Sequence, residues 1–123
     1  MQVILDCDVY VPRVLNTFIQ LLRDTDTLHI IEEECAMEHL KEIIDLEECI
    51  AEVIFVNRSS MHNRDMFLST YLGSIMTLGE EHVIYRKGAK YIWGLVDFWS
   101  RLGYSIRVLD KLPMSLKRKH KGV

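Results

Sequence analysis

The chain has 123 residues, of which 49% are hydrophobic, and a formal net charge of −3. It is sized and apolar enough to bury one core, and too acidic to wrap nucleic acid by bulk charge, so any such contact must be local. No apolar stretch reaches spanning length and Met1 leads into an apolar run without a basic leader, which predicts a cytoplasmic protein with no membrane association.

The first element is the run Val3-Ile4-Leu5-Asp6-Cys7-Asp8, which is short and partly β-branched and ends in two carboxylates. It reads as a buried central strand that delivers Asp6 and Asp8 to its carboxyl end, where open α/β sheets bind ligands and metals. Pro12 suits a first helical turn, and Val14, Leu15, Phe18, Ile19 and Leu22 continue at helical spacing through Arg23. After the break at 24–27, Leu28-His29-Ile30-Ile31 reads as a second strand. A second helix is expected from Glu32 to Cys49, apolar on one side and rich in Glu and Lys on the other. Val53 to Val56 is a third strand, and the polar loop 57–63 leads to a third helix from Asp65 to Leu78, with Gly79 as its C-cap. His82 to Tyr85, Ala89 to Leu102 and Tyr104 to Leu109 complete the pattern as strand, helix and strand.

Strict alternation of strands and helices implies right-handed crossovers and a mainly parallel sheet of about five strands in a three-layer α/β/α fold. The expected organisation is one α/β domain over residues 1–112 and a basic tail over 113–123, where Lys117, Arg118, Lys119 and Lys121 could touch nucleic-acid phosphate or form a solvated terminus. Cys7, Cys35 and Cys49 lack CxxC spacing and read as buried thiols. The five histidines show no metal-ligand spacing, and no glycine-rich phosphate loop is present.

Convergent carboxylates are what a hard divalent cation needs. Besides Asp6, the second helix offers Glu32, Glu33, Glu34 and Glu38, and Asp65 opens the helix after the third strand. Asp6, Glu38 and Asp65 could meet at one mouth of a parallel sheet. Each also has an ordinary reading, Asp65 as a helix N-terminal charge and Glu38 as a solvated face residue.

The pattern of Val3-Ile4-Leu5-Asp6, then Ile30-Ile31-Glu32-Glu33-Glu34-Cys35-Ala36-Met37-Glu38-His39-Leu40, then Asn63-Arg64-Asp65-Met66-Phe67-Leu68-Ser69-Thr70, resembles the PIN domain family. The resemblance implies a small α/β fold with a central parallel sheet and the chemistry of Mg²⁺- or Mn²⁺-dependent ribonucleases, which include toxins of toxin–antitoxin pairs. It implies RNA as a partner, an antitoxin as a candidate protein partner, and Asp6, Glu38 and Asp65 as the first three metal-binding acids. Where active members follow a strand with Thr-x-Asp, this chain reads Val83-Ile84-Tyr85-Arg86-Lys87-Gly88, with Lys87 in place of the last carboxylate. A cation there would repel a second metal. Asp8 could then compensate in an active enzyme, with Arg86 and Lys87 clamping phosphate. Equally, the domain could be degenerate, binding RNA or protein without cutting.

Two other readings stand beside this one. Asp6-Cys7-Asp8 also resembles the motif of haloacid-dehalogenase-like phosphatases, with Asp6 as nucleophile and Asp8 as general acid/base. The fourth helix is unusually aromatic, and Trp93 and Phe98, off its core-facing side, suggest a homodimer or partner interface.

Overall fold

A computed structural model describes residues 1–6, 12–43 and 48–118. The segment that carries Asp8 and Cys7 and the residues from Lys119 onward lie outside the described residues. The chain alternates β1 (Gln2–Asp6), α1 (Pro12–Leu21), β2 (Thr27–Glu33), α2 (Glu34–Ile43), β3 (Glu52–Arg58), α3 (Arg64–Ile75), β4 (Glu81–Tyr85), a 3₁₀ turn (Ala89–Ile92), α4 (Trp93–Arg101) and β5 (Ser105–Leu109).

The strands form one five-stranded sheet in the order β3-β2-β1-β4-β5. Every neighbouring pair is parallel. β1 therefore lies at the centre, between β2 and β4, and its residues Val3, Ile4 and Leu5 are fully buried. Among the described residues no helix is long and apolar enough to cross a membrane.

Side-chain alternation along the strands builds a core on each face. Val3, Leu5, Leu28, Ile30 and Val83 point to one face, where α1 contributes Leu15 and Phe18 and α2 contributes Met37 and Leu40. Ile4, Ile31 and Ile84 point to the other, covered by Leu68 and Leu72 of α3 and by Ile92 and Leu95 beside α4. The fold is thus a three-layer α/β/α sandwich, and the sheet is parallel throughout.

The element bounds differ from the sequence expectation in informative places. β2 continues to Glu33, so Glu32 and Glu33 belong to a strand and α2 starts only at Glu34. These acids extend the strand past the apolar run because β3 pairs with them in register, Glu32 with Asn57 and Glu33 with Arg58. α3 ends at Ile75 rather than Leu78, because Met76 turns to extended backbone and the next amide, Thr77 N–H, donates to Nε2 of buried His82. Gly79 instead occupies a left-handed position, φ 88°, in the turn before β4. The fourth helix opens as a 3₁₀ turn after Gly88, which sits in the left-handed region at φ 79°, and Ile92, φ −117°, separates that turn from α4.

The segment after β5 does not leave the body of the protein. Leu112 and Leu116 pack against the core on the α1 side. Arg118 then donates two hydrogen bonds at 2.6 Å to the carboxylate of buried Asp26, and a third at 3.3 Å to the Leu21 carbonyl. Burial alone would raise the Asp26 pKa, but the Arg118 guanidinium, the Arg23 amide and the amino group of Met1 outweigh it and hold the carboxyl below its usual value.

A buried polar network crosses the α3 face near the opposite end of the sheet. His29 bonds through Nδ1 to the Tyr71 hydroxyl at 2.6 Å and through Nε2 to Gln2 Oε1. The Gln2 amide nitrogen donates to Glu80, so Gln2 Oε1 accepts from His29, and Nδ1 accepts from Tyr71. Burial, helped by the nearby His82, pushes the His29 pKa down to about 4, although Glu80 acts in the other direction. The histidine is neutral and structural.

Candidate functional site

The carboxyl edge of the sheet carries charged residues on all four strands from β3 to β4. Alternation assigns their side. Arg58 follows Val56, Glu33 follows Ile31, Asp6 follows Ile4 and Arg86 follows Ile84, and those apolar residues all belong to the cluster beneath α3 and α4. Arg58, Glu33, Asp6 and Arg86 therefore stand along one mouth on the α3 side.

α3 supplies a fifth charge. Asn63 caps its amino end by accepting from the amides of Asp65 at 3.0 Å and Met66 at 3.1 Å, which brings Asp65 into the first turn above the mouth. Asp65 and Asp6 meet at a common partner, the guanidinium of Arg86. Arg86 Nε lies 3.5 Å from Asp6 Oδ2, and Nη2 contacts Asp65 Oδ1. The pairing is asymmetric in exposure, since the Asp6 and Arg86 side chains are 1% and 8% exposed and that of Asp65 is 53% exposed. Arg86 is held at the start of this turn by its own backbone, whose N–H donates to the Leu109 carbonyl of β5 at 3.0 Å.

The sequence brings Asp6 and Asp65 to the same edge as expected, but Glu38 does not join them. α2 packs through Met37 and Leu40 on the opposite face of the sheet, and Glu38 is solvent-facing and lies 3.7 Å from Lys41 Nζ. Lys87 is exposed in the turn after β4. The cation that meets Asp6 is Arg86, one residue earlier, because the register pairing Leu5 with Tyr85 makes residue 86 the neighbour of residue 6. Asp8 lies outside the described residues. Among the described residues no group of three or more His, Cys, Asp or Glu side chains is placed to hold a metal ion. The two acids that do converge are bridged by a guanidinium, an arrangement that does not fit a dedicated divalent-cation site.

Sequence reasoning overlooked Arg58. It is 5% exposed, and its Nη1 lies 3.8 Å from Glu33 Oε1, beyond hydrogen-bond length. Its Nε, like Nη1 of Arg86, is buried with no hydrogen-bond partner. A buried guanidinium N–H without an acceptor costs about 1–3 kcal/mol, so each of these arginines is set to gain from an added acceptor. The signal was available in the chain, since Val56-Asn57-Arg58 continues the alternation of β3 past its apolar run. On the opposite face, Glu32 is also buried, and its Oε1 accepts from the Glu33 amide at 2.8 Å.

α4 presents its aromatic residues as the spacing indicated. Ile92 is buried and Leu95 packs on the core, whereas Trp93 is 65% and Phe98 54% exposed.

No family model, curated protein or solved structure matches this chain.

Proposed function

We propose that this protein is a degenerate PIN-like domain that binds RNA without cutting it. The observation that carries the reading is the Arg86 guanidinium seated between Asp6 and Asp65, where a metal-dependent nuclease would require mutual repulsion of acids to be relieved by a divalent cation. An internal cation neutralises the same carboxylates with no exogenous ion. The strand order β3-β2-β1-β4-β5, with the acids at the carboxyl edge where the order reverses beside β1, supports the PIN-like part of the proposal. The buried arginine donors along that edge support an anionic partner.

The test compares wild type with Arg86→Met and Asp6→Asn in Mn²⁺-dependent RNA cleavage, RNA binding and thermal melting. Wild type should bind single-stranded RNA, leave it intact and melt at the same temperature with or without Mn²⁺. Arg86→Met removes a buried counter-charge and should cost about 3 kcal/mol, and its melting temperature should become Mn²⁺-responsive. Mn²⁺-dependent cleavage by wild type that Asp6→Asn abolishes would overturn the proposal and restore the nuclease reading, with its toxin-type biology.

A further inference from the structure

Two clefts adjoin at the β3–α3 loop and share His62. The first, of about 500 Å³, is lined by Glu33, Glu34, Arg58, Ser59, Ser60 and His62, together with Asn57. The second, of about 570 Å³, is formed by Met61, Met66, Phe67 and Thr70 with His62 and Asn63. One is lined by charged, amide and hydroxyl residues, among them a buried arginine; the other is walled mainly by apolar and aromatic side chains.

The chemistry of the first cleft calls for an anion. Arg58 is nine-tenths buried, its Nε has no hydrogen-bond partner, and its nearest carboxylate, on Glu33, stands at 3.8 Å. The hydroxyls of Ser59 and Ser60 lie on the same wall. Ser59 Oγ accepts from the Met61 amide at 3.2 Å and the His62 amide donates to the Ser59 carbonyl at 3.0 Å, which leaves the Ser59 O–H available as a donor while folding the loop into a compact turn. A guanidinium with two hydroxyls beside it is a phosphate-binding set.

The acids on the same rim argue against a bare phosphate and for a larger ligand. Glu33 and Glu34 are acceptors, and a carboxylate beside a phosphate-binding group is well placed for ribose hydroxyls, as in dinucleotide sites. In the second cleft, the exposed His62 ring stacks on Phe67 at 5.7 Å between centroids and 25° between planes. Met61 and Met66 extend the apolar surface, at 90% and 72% exposed. His62 is exposed while its ring stacks on Phe67, the kind of aromatic platform on which a nucleobase stacks.

We infer that these joined clefts bind one ribonucleotide unit, with its phosphate on Arg58, Ser59 and Ser60, its ribose at Glu33 and Glu34, and its base on His62 and the apolar wall. The inference rests on the RNA-binding reading above and gives that reading a site away from Asp6 and Arg86. It also gives a role to the exposed apolar surface of Met61 and Met66 at the start of α3.

The experiment titrates the full chain with adenosine 5′-monophosphate, its 2′-deoxy analogue and inorganic phosphate, followed by amide and side-chain NMR shifts. The ribonucleotide should bind more tightly than the deoxy analogue, and both more tightly than phosphate, with shifts at Arg58, His62 and Phe67. His62→Ala, an exposed change that leaves the core intact, should weaken the nucleotide about tenfold, as loss of one stacking platform does, and leave phosphate binding unchanged. Ser60→Asp should weaken all three ligands, and Arg58→Gln should do the same provided its NMR spectrum remains folded. Equal affinity for ribo- and deoxynucleotide, or a nucleotide affinity indifferent to both His62→Ala and Ser60→Asp, would overturn the inference. RNA oligonucleotides binding with these clefts unperturbed would overturn it while sparing the RNA-binding proposal; nucleotide binding without RNA binding would do the reverse.

Discussion

At the scale of single residues, protonation separates His29 from Asp26. His29 titrates near 6.5 in the unfolded chain and near 4 in the fold, so between those values the unfolded state binds a proton that the folded state refuses. Stability should therefore fall as pH drops from about 6.5 to about 4, by roughly 3 kcal/mol, measured as the urea midpoint. His29→Gln should flatten the curve in that window. Asp26 acts lower down, since its lowered pKa confers stability above the ordinary carboxyl value of 3.8 that is lost at more acidic pH. The residue scale is also where the sequence was least legible. Asp6 and Asp65 could be assigned to one edge from their places after β1 and before α3. Which cation faces Asp6 depends on a single step of alternation: Tyr85 packs with Phe18 on the α1 side, Arg86 turns to the α3 side, and Lys87 lies in solvent.

Among the elements, α3 both covers the sheet and carries half of the candidate nucleotide site, so its amino end has a measurable role. Asn63→Ala removes the acceptor for two amides of the first turn and should cost about 1 kcal/mol in chemical denaturation. It should also loosen Asp65 from Arg86, visible as a change in the Arg86 side-chain NMR signal. α4 makes a contrasting case. Trp93→Ala should change stability by no more than about 0.5 kcal/mol, because Trp93 is mostly exposed. Leu72→Ala in α3 should cost about 2–5 kcal/mol, because Leu72 is fully buried and its removal leaves a cavity. The elements themselves were legible because apolar runs and helical periodicity alternate cleanly along the chain. Their ends were harder to place. Glu32 and Glu33 look helical by composition but extend β2 because β3 offers them a paired partner, and the expected fourth helix divides at Ile92, φ −117°, into a 3₁₀ turn and α4.

For the molecule as a whole, the tie between Arg118 and Asp26 joins residues 92 positions apart and anchors the end of the described chain against the loop before β2. Arg118→Gln should lower stability at pH 7 by about 2–3 kcal/mol, the value of hydrogen bonds to a buried charge, and the penalty should shrink once Asp26 is protonated. Denaturation of wild type and variant at pH 7 and pH 3 checks this. The residues from 113 to 118 had read as the start of a separable tail, and the packing of Leu116 and the grip of Arg118 could not be inferred from a charge run that also suits a solvated terminus. Strand order has a further consequence, for synthesis. β1 precedes the other four strands of the sheet in synthesis and lies at its centre, yet one of its two neighbours, β4, is not translated until residues 81–85. A nascent chain that has formed β1, β2 and β3 presents the apolar flank of β1 as a temporary edge, open to chaperones or to a second nascent chain. Asp6 meets Arg86 only when β4 docks on that edge, so the event that completes the sheet is also the one that delivers the buried arginine to its acid.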